Sequence, residues 1–311
     1  MNRRAALAAA LVALGAAGAC ATFRSPHPPG PDPRWVEPAP FPPDSPRVAL
    51  VLSGGAARGF AHVGVIKALE ANGLKPDLIV GSSAGSVIGA LYASGLNASE
   101  LEQAVGRMDR WVFQDLAFPG LGLVPGSLGL LRGDGLHRFV DRESRLHLIE
   151  AFPIRFAAVA TDLNSGDPVI FNAGDVGRAV SASSAVPGLV VPVEIGGRLY
   201  GDGQLSSPVP VEAARRLGAR TVIAVDVIYP PEDARLTSSM RVVFQAFAIS
   251  VYRIRHYEIG QADALIAPEL GHTSGQWFFG ERDRLIAAGE RATLAALDRL
   301  RPLFPPVAPA R

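Results

Sequence analysis

The sequence predicts an α/β domain with a mostly parallel central sheet covered by helices on both faces. Three observations carry that expectation. Short, wholly apolar runs recur, helical patterns follow them, and the two kinds of segment alternate from residue 47 to residue 300. Apolar runs without polar alternation mark strands buried on both faces, as in parallel sheets.

The elements follow in order. VALVLS (48–53) is a short apolar run closed by glycines, the signature of a buried strand. Residues 59–72 read as a helix, with Val63, Ile66 and Leu69 at helical spacing. Asp77 to Val80 is a second buried strand, followed at once by Gly81-Ser82-Ser83-Ala84-Gly85 and a helix through Ala93. A helix at 98–108 has Asn97 or Ser99 as cap, with Glu100 and Glu102 favourable in its first turn. Further strands are expected at 154–161, 168–171, 190–195 and 221–228, and helices at 175–184, 208–217, 240–258 and 281–300. Residues 111–131 are strongly apolar, but Pro119, Pro125 and their glycines argue against a spanning helix. A mobile flap beside a lipid-binding cleft and an irregular core loop both fit that stretch.

Composition narrows the function. The formal charge is +1, so no global field steers the chain to nucleic acid. A single cysteine excludes an intrachain disulfide and a cysteine-built metal site. That cysteine stands at position 20, after Arg3-Arg4 and an apolar run from Ala5 to Ala19 too short to span a bilayer comfortably. The segment resembles a bacterial lipoprotein signal with the box Ala17-Gly18-Ala19-Cys20, which would make Cys20 the lipidated mature N-terminus. An ordinary signal peptide cut near Ala19 is the alternative. Ten prolines between Pro26 and Pro46 then exclude helix and favour an extended tether.

Gly81-X-Ser83-X-Gly85 is the only G-x-S-x-G of the chain, with an apolar strand running into it and a helix leaving it. Such an elbow strains the backbone at the serine and sets its hydroxyl at a helix N-terminus. Upstream, Ser53-Gly54-Gly55-Ala56-Ala57-Arg58-Gly59 offers backbone N–H groups to an oxyanion. It is no P-loop, since Phe60-Ala61 stands where Lys-Ser/Thr is required. It is no dinucleotide loop either, because the second strand runs into the elbow where an acidic residue is needed. Histidines at 27, 62, 137, 147, 256 and 272 leave the general base open, and Ser83 follows too few strands for an α/β-hydrolase triad. A carboxylate base is the other option. Asp202, between Gly201 and Gly203, suits close approach better than Asp162 or Asp226, which read as structural.

These blocks resemble the patatin-like phospholipase family, closest to its bacterial members related to neuropathy target esterase. The family carries a G-G-G-x-[RK]-G loop, a G-x-S-x-G elbow and a D-G-[GA] block in that order. Here they are Gly54 to Gly59, Gly81 to Gly85, and Asp202-Gly203-Gln204. Similarity extends to Ala61-His62-Val63-Gly64-Val65, Thr161-Asp162-Leu163, Ser183-Ser184-Ala185-Val186-Pro187 and Pro208 to Val211, over about residues 47–230. Two positions depart: Ser53 or Ala56 stands for a third glycine, and Gln204 replaces a small residue.

The resemblance implies a patatin-like three-layer α/β/α sandwich. It implies Ser83 as nucleophile and Asp202 as general base of a Ser–Asp dyad, with an oxyanion hole from the amides of Gly54, Gly55 and Ala56. Arg58 would support that loop, with Gly81 and Gly85 flanking the nucleophile. The expected activity is hydrolysis of fatty-acyl esters of membrane lipids through an acyl-enzyme, with no cofactor and no metal. A general carboxylesterase for soluble esters and a catalytically silent lipoprotein scaffold are the alternatives. The expected organisation is a signal peptide at 1–19, a lipidated N-terminus and tether at 20–46, the hydrolase domain at 47–301 and a proline-rich tail at 302–311. Removing residues 1–19 takes the formal charge from +1 to −1, so membrane contact would come from the lipid anchor and apolar surface. Ala21 lacks the aspartate of inner-membrane retention, which points to a periplasm-facing outer-membrane lipoprotein of the cell envelope if the source is Gram-negative.

Overall fold

A computed structural model of the chain describes residues 30–42, 45–108, 128–231, 236–271 and 279–304. Cys20, the signal segment, most of the apolar 111–131 stretch and residues 305–311 lie outside them. Among the described residues no helix is long and apolar enough to cross a membrane.

The described elements are β1 (Val48–Leu52), α1 (Phe60–Ala71), β2 (Leu78–Ser82), α2 (Ala84–Ala93), α3 (Ala98–Gly106) and α4 (Asp134–Glu143). They continue with β3 (Arg155–Asp162), β4 (Pro168–Phe171), α5 (Val176–Ser183), β5 (Val193–Ile195) and β6 (Arg198–Asp202). The last are α6 (Val211–Arg216), β7 (Thr221–Val225), α7 (Ser239–Ile259), β8 (Ala264–Ile266) and α8 (Arg282–Leu300). The sheet order is β5-β6-β3-β2-β1-β7-β8, with β4 also on β3. The strands β3, β2, β1, β7 and β8 are mutually parallel, and β4, β5 and β6 bring the antiparallel pairings.

Strand periodicity explains the layers. Val48, Leu50 and Leu52 of β1 enter one apolar cluster with residues of α1, α2 and α8. Ala49 and Val51 point the other way, into a cluster with residues of α6 and α7. Gly64 of α1 and Gly289 of α8 let those two helices touch backbone to backbone. A Cβ on Gly64 would sit 1.8 Å from the Ile286 carbonyl oxygen, and one on Gly289 would sit 1.9 Å from that of Ala61.

Several expectations change. The helix expected at 208–217 covers only Val211–Arg216 with Pro210 as its N-cap, since a proline disfavours the helical conformation in the residue before it, here Val209. The strand expected at 221–228 stops at Val225, and the Val227 amide turns to the Ser53 hydroxyl at 2.9 Å. Three elements were not foreseen, α4, β6 and β8. The proline-rich tether is a docked strap over its described part. Arg34 exchanges backbone hydrogen bonds with Ala173, and the Asn172 side chain bonds both backbone groups of Val36 at 2.8 Å. Phe41 is buried beneath the Arg155 guanidinium, which donates to the carbonyls of Ala39 and Pro40 at 2.7 and 2.8 Å. Proline removes donors only from its own positions, so Arg34 and Val36 between the prolines remain able to pair. At the other end Phe304 is buried after a 3-10 turn at Arg301–Leu303, so the packed domain runs past residue 301.

Candidate active site

Ser83 joins β2 to α2 in a strained backbone, φ 50° and ψ −124°. Its carbonyl accepts from the Ser86 amide at 2.8 Å and the Ser86 hydroxyl at 2.7 Å, closing the first turn of α2. Gly85 sits against β1, where a Cβ would lie 2.1 Å from the Leu52 carbonyl oxygen. The Ser83 amide donates to the Ser183 hydroxyl at 2.9 Å, and that hydroxyl donates to the Val159 carbonyl at 2.6 Å. The helix end α5 and the strand β3 therefore both hold the elbow.

Strand pairing brings Asp202 to the serine. β2 pairs with β3 up to Ser82 opposite Val159, and β6 pairs with β3 from Asp202 opposite Ala160. Because β4 occupies the other side of β3 over these residues, β6 lies in line with β2 and the C-terminal ends of the two strands meet. The Ser83 hydroxyl donates to Asp202 Oδ2 at 2.7 Å. Asp202 Oδ1 accepts from the Gln204 amide at 2.8 Å, and the Asp202 carbonyl accepts from the Thr161 hydroxyl at 2.9 Å. Gly203 permits this approach, since a Cβ there would lie 2.1 Å from the Val159 carbonyl oxygen. Asp202 is fully buried, and burial pushes its pKa up to about 7 against the lowering effect of the Gln204 amide and Ser83 hydroxyl.

The glycine loop lies between β1 and a 3-10 turn at Ala56–Gly59. The Gly54 amide donates to the Pro208 carbonyl at 3.1 Å, so the expectation that it faces an oxyanion is corrected. Gly55 and Ala56 stand at the open end of the 3-10 turn, where N–H groups have no intrahelical acceptor. Ala56, at φ 50°, adopts the left-handed conformation there. Arg58 braces the loop from beneath, donating from Nε to the Val227 carbonyl at 3.0 Å with its guanidinium over Tyr229. His62 Nε2 donates to the Ser53 carbonyl at 2.8 Å. Full burial lowers its pKa to about 4, so it is neutral and Nε2 carries the proton.

Ser83 opens on an apolar cleft of about 680 Å³, its open mouth included. Ala56, Phe60, Val87, Ile88, Leu136 and Val190 are among its walls. Of the 111–131 stretch, only residues 128–131 are described, and Leu131 lines this cleft.

The family model for patatin-like phospholipases matches residues 50–215, more than half of the chain. The chain belongs to the patatin-like phospholipase family. An uncharacterized NTE family protein of Mycobacterium tuberculosis is 38% identical over 183 residues, 59% of this chain and 49% of that protein. A lysophospholipase of Aspergillus fumigatus is 37% identical over 186 residues, 58% of this chain and 12% of its own length. The chain thus spans about half or less of the curated relatives it matches. The crystal structure of VipD from Legionella pneumophila shares the patatin-like α/β fold, with a TM-score of 0.52 at 15% identity, over 86% of this chain and 70% of that one.

Within this patatin-like domain the other candidate acids are engaged elsewhere. Asp162 pairs with Arg198 and accepts from the Asn164 amide, and Asp226 pairs with Arg255 and accepts from the Ile228 amide. Among the described residues no histidine hydrogen-bonds Ser83. His62 holds Ser53, His137 lies between Asp141 and Asp175, and His256 packs on Tyr252. His27 and His272 lie outside the described residues. Three supporting residues had no role assigned from sequence: Ser183, Thr161 and Pro208. Each stands in a block that carries the patatin-like resemblance, which signals importance without saying which backbone group it holds.

Proposed function

We propose that the chain is a serine acyl hydrolase that cleaves fatty-acyl esters of membrane lipids, of phospholipase or lysophospholipase type. The observation that carries this reading is the 2.7 Å hydrogen bond from the Ser83 hydroxyl to the buried Asp202 carboxylate beside an apolar cleft. In the first step Ser83 Oγ attacks the acyl carbonyl carbon while its proton passes to Asp202 Oδ2. The amides of Gly55 and Ala56 stabilise the oxyanion, and Asp202 returns the proton to the leaving alcohol. Water then attacks the acyl-enzyme with Asp202 again as base, releasing the fatty acid and free Ser83. Burial makes Asp202 a stronger base than an ordinary carboxylate, which favours both proton transfers near neutral pH. The cleft walls suit an acyl chain, and the lysophospholipase name of the Aspergillus relative agrees with such a substrate.

The test compares wild type, Ser83→Ala and Asp202→Asn on short-chain nitrophenyl esters and on phospholipid vesicles. Turnover of both substrates should fall in both variants, by roughly 10²–10⁴ for the loss of the base. Wild-type activity no higher than that of the variants overturns the reading, and activity on soluble esters alone turns it into a carboxylesterase. We further propose that Cys20 carries the lipid anchor of a cell-envelope lipoprotein, on the outer membrane if the source is Gram-negative. Fatty-acid labelling should disappear in Cys20→Ser, and unchanged labelling would remove the anchor.

A further inference from the structure

Helix α7 exposes large apolar side chains along its first three turns. Over its 21 residues only Val251 and Glu258 are buried. Val242, Val243 and Ile249 are 48%, 51% and 45% exposed, and Leu236, just before the helix, is 51% exposed. Residues 239–250 carry no buried side chain at all, over three turns or about 18 Å of helix. Single exposed apolar residues are ordinary, but a contiguous exposed apolar surface marks a contact site. Phe247 packs against the core from these turns, and Val242, Val243 and Ile249 stay uncovered.

The other end of α7 is fastened beside the active site. Glu258 accepts from the Ser207 hydroxyl at 2.5 Å and from the Val209 amide at 2.7 Å. Pro208, between those two residues, holds the Gly54 amide of the glycine loop. Arg255 pairs with Asp226, one residue past the end of β7, at the edge of the sheet where Ser83 follows β2. The apolar turns of α7 thus extend from the loops that shape the site.

Charge selects the occupant. From Leu236 to Tyr257 there is no Asp or Glu, while Arg241 and Arg253 are exposed. A second copy docking by the same face would bring like charges together without a carboxylate to pair them. A bilayer with anionic headgroups meets both needs, taking apolar side chains at the headgroup–acyl boundary and placing phosphates against the arginines. We propose that residues 236–250 are a docking surface for an anionic lipid bilayer, which sets the Ser83 cleft against the membrane. Its purpose rests on the lipid-hydrolase reading, but the docking itself does not require turnover.

The single native cysteine makes the test direct. The full chain carrying Cys20→Ser and Ser83→Ala has no thiol, so Val243→Cys can be labelled alone with an environment-sensitive fluorophore. Vesicles of phosphatidylcholine with phosphatidylglycerol should shift its emission to the blue, more strongly than phosphatidylcholine alone and less at high salt. The same probe at exposed Arg291→Cys on α8 should not respond. In the active Cys20→Ser chain, Val242→Asp with Val243→Asp should weaken vesicle binding roughly tenfold or more while soluble-ester turnover stays unchanged. The proposal is overturned by a Val243 probe silent to vesicles, by an equal response at position 291, or by a shift that follows protein concentration without vesicles. The last outcome would mean that a second copy covers the helix. A chain that hydrolyses nothing would overturn the hydrolase reading and leave the probe result standing.

Discussion

In the proposed mechanism Asp202 has two duties that oppose each other. As a base it must be ionised and poorly solvated, and as a buried carboxylate it resists ionisation. Because its pKa is pushed to about 7, turnover of a soluble ester should fall as pH drops through neutrality, where an ordinary carboxylate would still be ionised. Stability should move the other way. The folded-state pKa lies above the unfolded value of 3.8, so the folded chain holds the extra proton between the two. The stability this contributes is full below about pH 4 and is lost as pH rises through about 7. Asp202→Asn should therefore melt higher than wild type near pH 8, with the difference vanishing toward pH 4. Equal melting temperatures across that range would mean the carboxylate is not strained by burial. None of this was legible in the sequence beyond the identity of the aspartate. Gly201 and Gly203 marked a place of close approach, but which group approaches depends on β6 meeting β3.

At the scale of elements, the site is two backbone devices held by side chains. The elbow was legible because its requirements are local: an apolar strand, a serine at a tight turn, small neighbours and a helix. The glycine loop was legible as a side-chain-poor turn between β1 and a helix, yet not in which of its amides is engaged. The Gly54 amide is engaged by Pro208, 154 residues later in a turn no local pattern connects to it. His62 is the element-scale support, a neutral imidazole donating to the Ser53 carbonyl at the root of the loop. His62→Phe should cost about 1–3 kcal/mol by leaving that buried carbonyl without its donor. It should also lower kcat more than it raises KM, since it loosens the oxyanion loop and leaves the cleft intact. A changed KM with normal kcat would place His62 outside the catalytic geometry. Its pKa of about 4 lies below the unfolded value of 6.5, so the stability it contributes is present above about 6.5 and is lost as pH falls to about 4. The elements missed from sequence each have a local reason. β6 contains Tyr200-Gly201-Asp202 and reads as a turn, β8 has only three residues, and α4 follows a glycine-rich stretch that hides its apolar face of Leu136, Phe139 and Val140.

For the whole molecule, the clearest departure from expectation is the strap at residues 30–42. Pro-rich sequence excludes helix and promises extension, but extension suits pairing with an exposed strand edge as well as it suits a free tether. Phe41 anchors that strap in the core beneath Arg155. Phe41→Ala should lower stability by about 3 kcal/mol in urea unfolding, with little effect on turnover at low temperature. No loss would return the strap to the status of a tether. The sequence by itself determined the class of fold, through its alternating apolar runs and helical patterns, and it marked the Gly81–Gly85 elbow and Asp202, because local residues signal each of them. Only the tertiary structure decided that Ser83 and Asp202, 119 positions apart, share a hydrogen bond, that Gly54 is engaged, and that the strap is docked. These depend on which strands and segments pair with which across the sheet. Long-range register is set by the packing of the whole domain, and no local spacing encodes it.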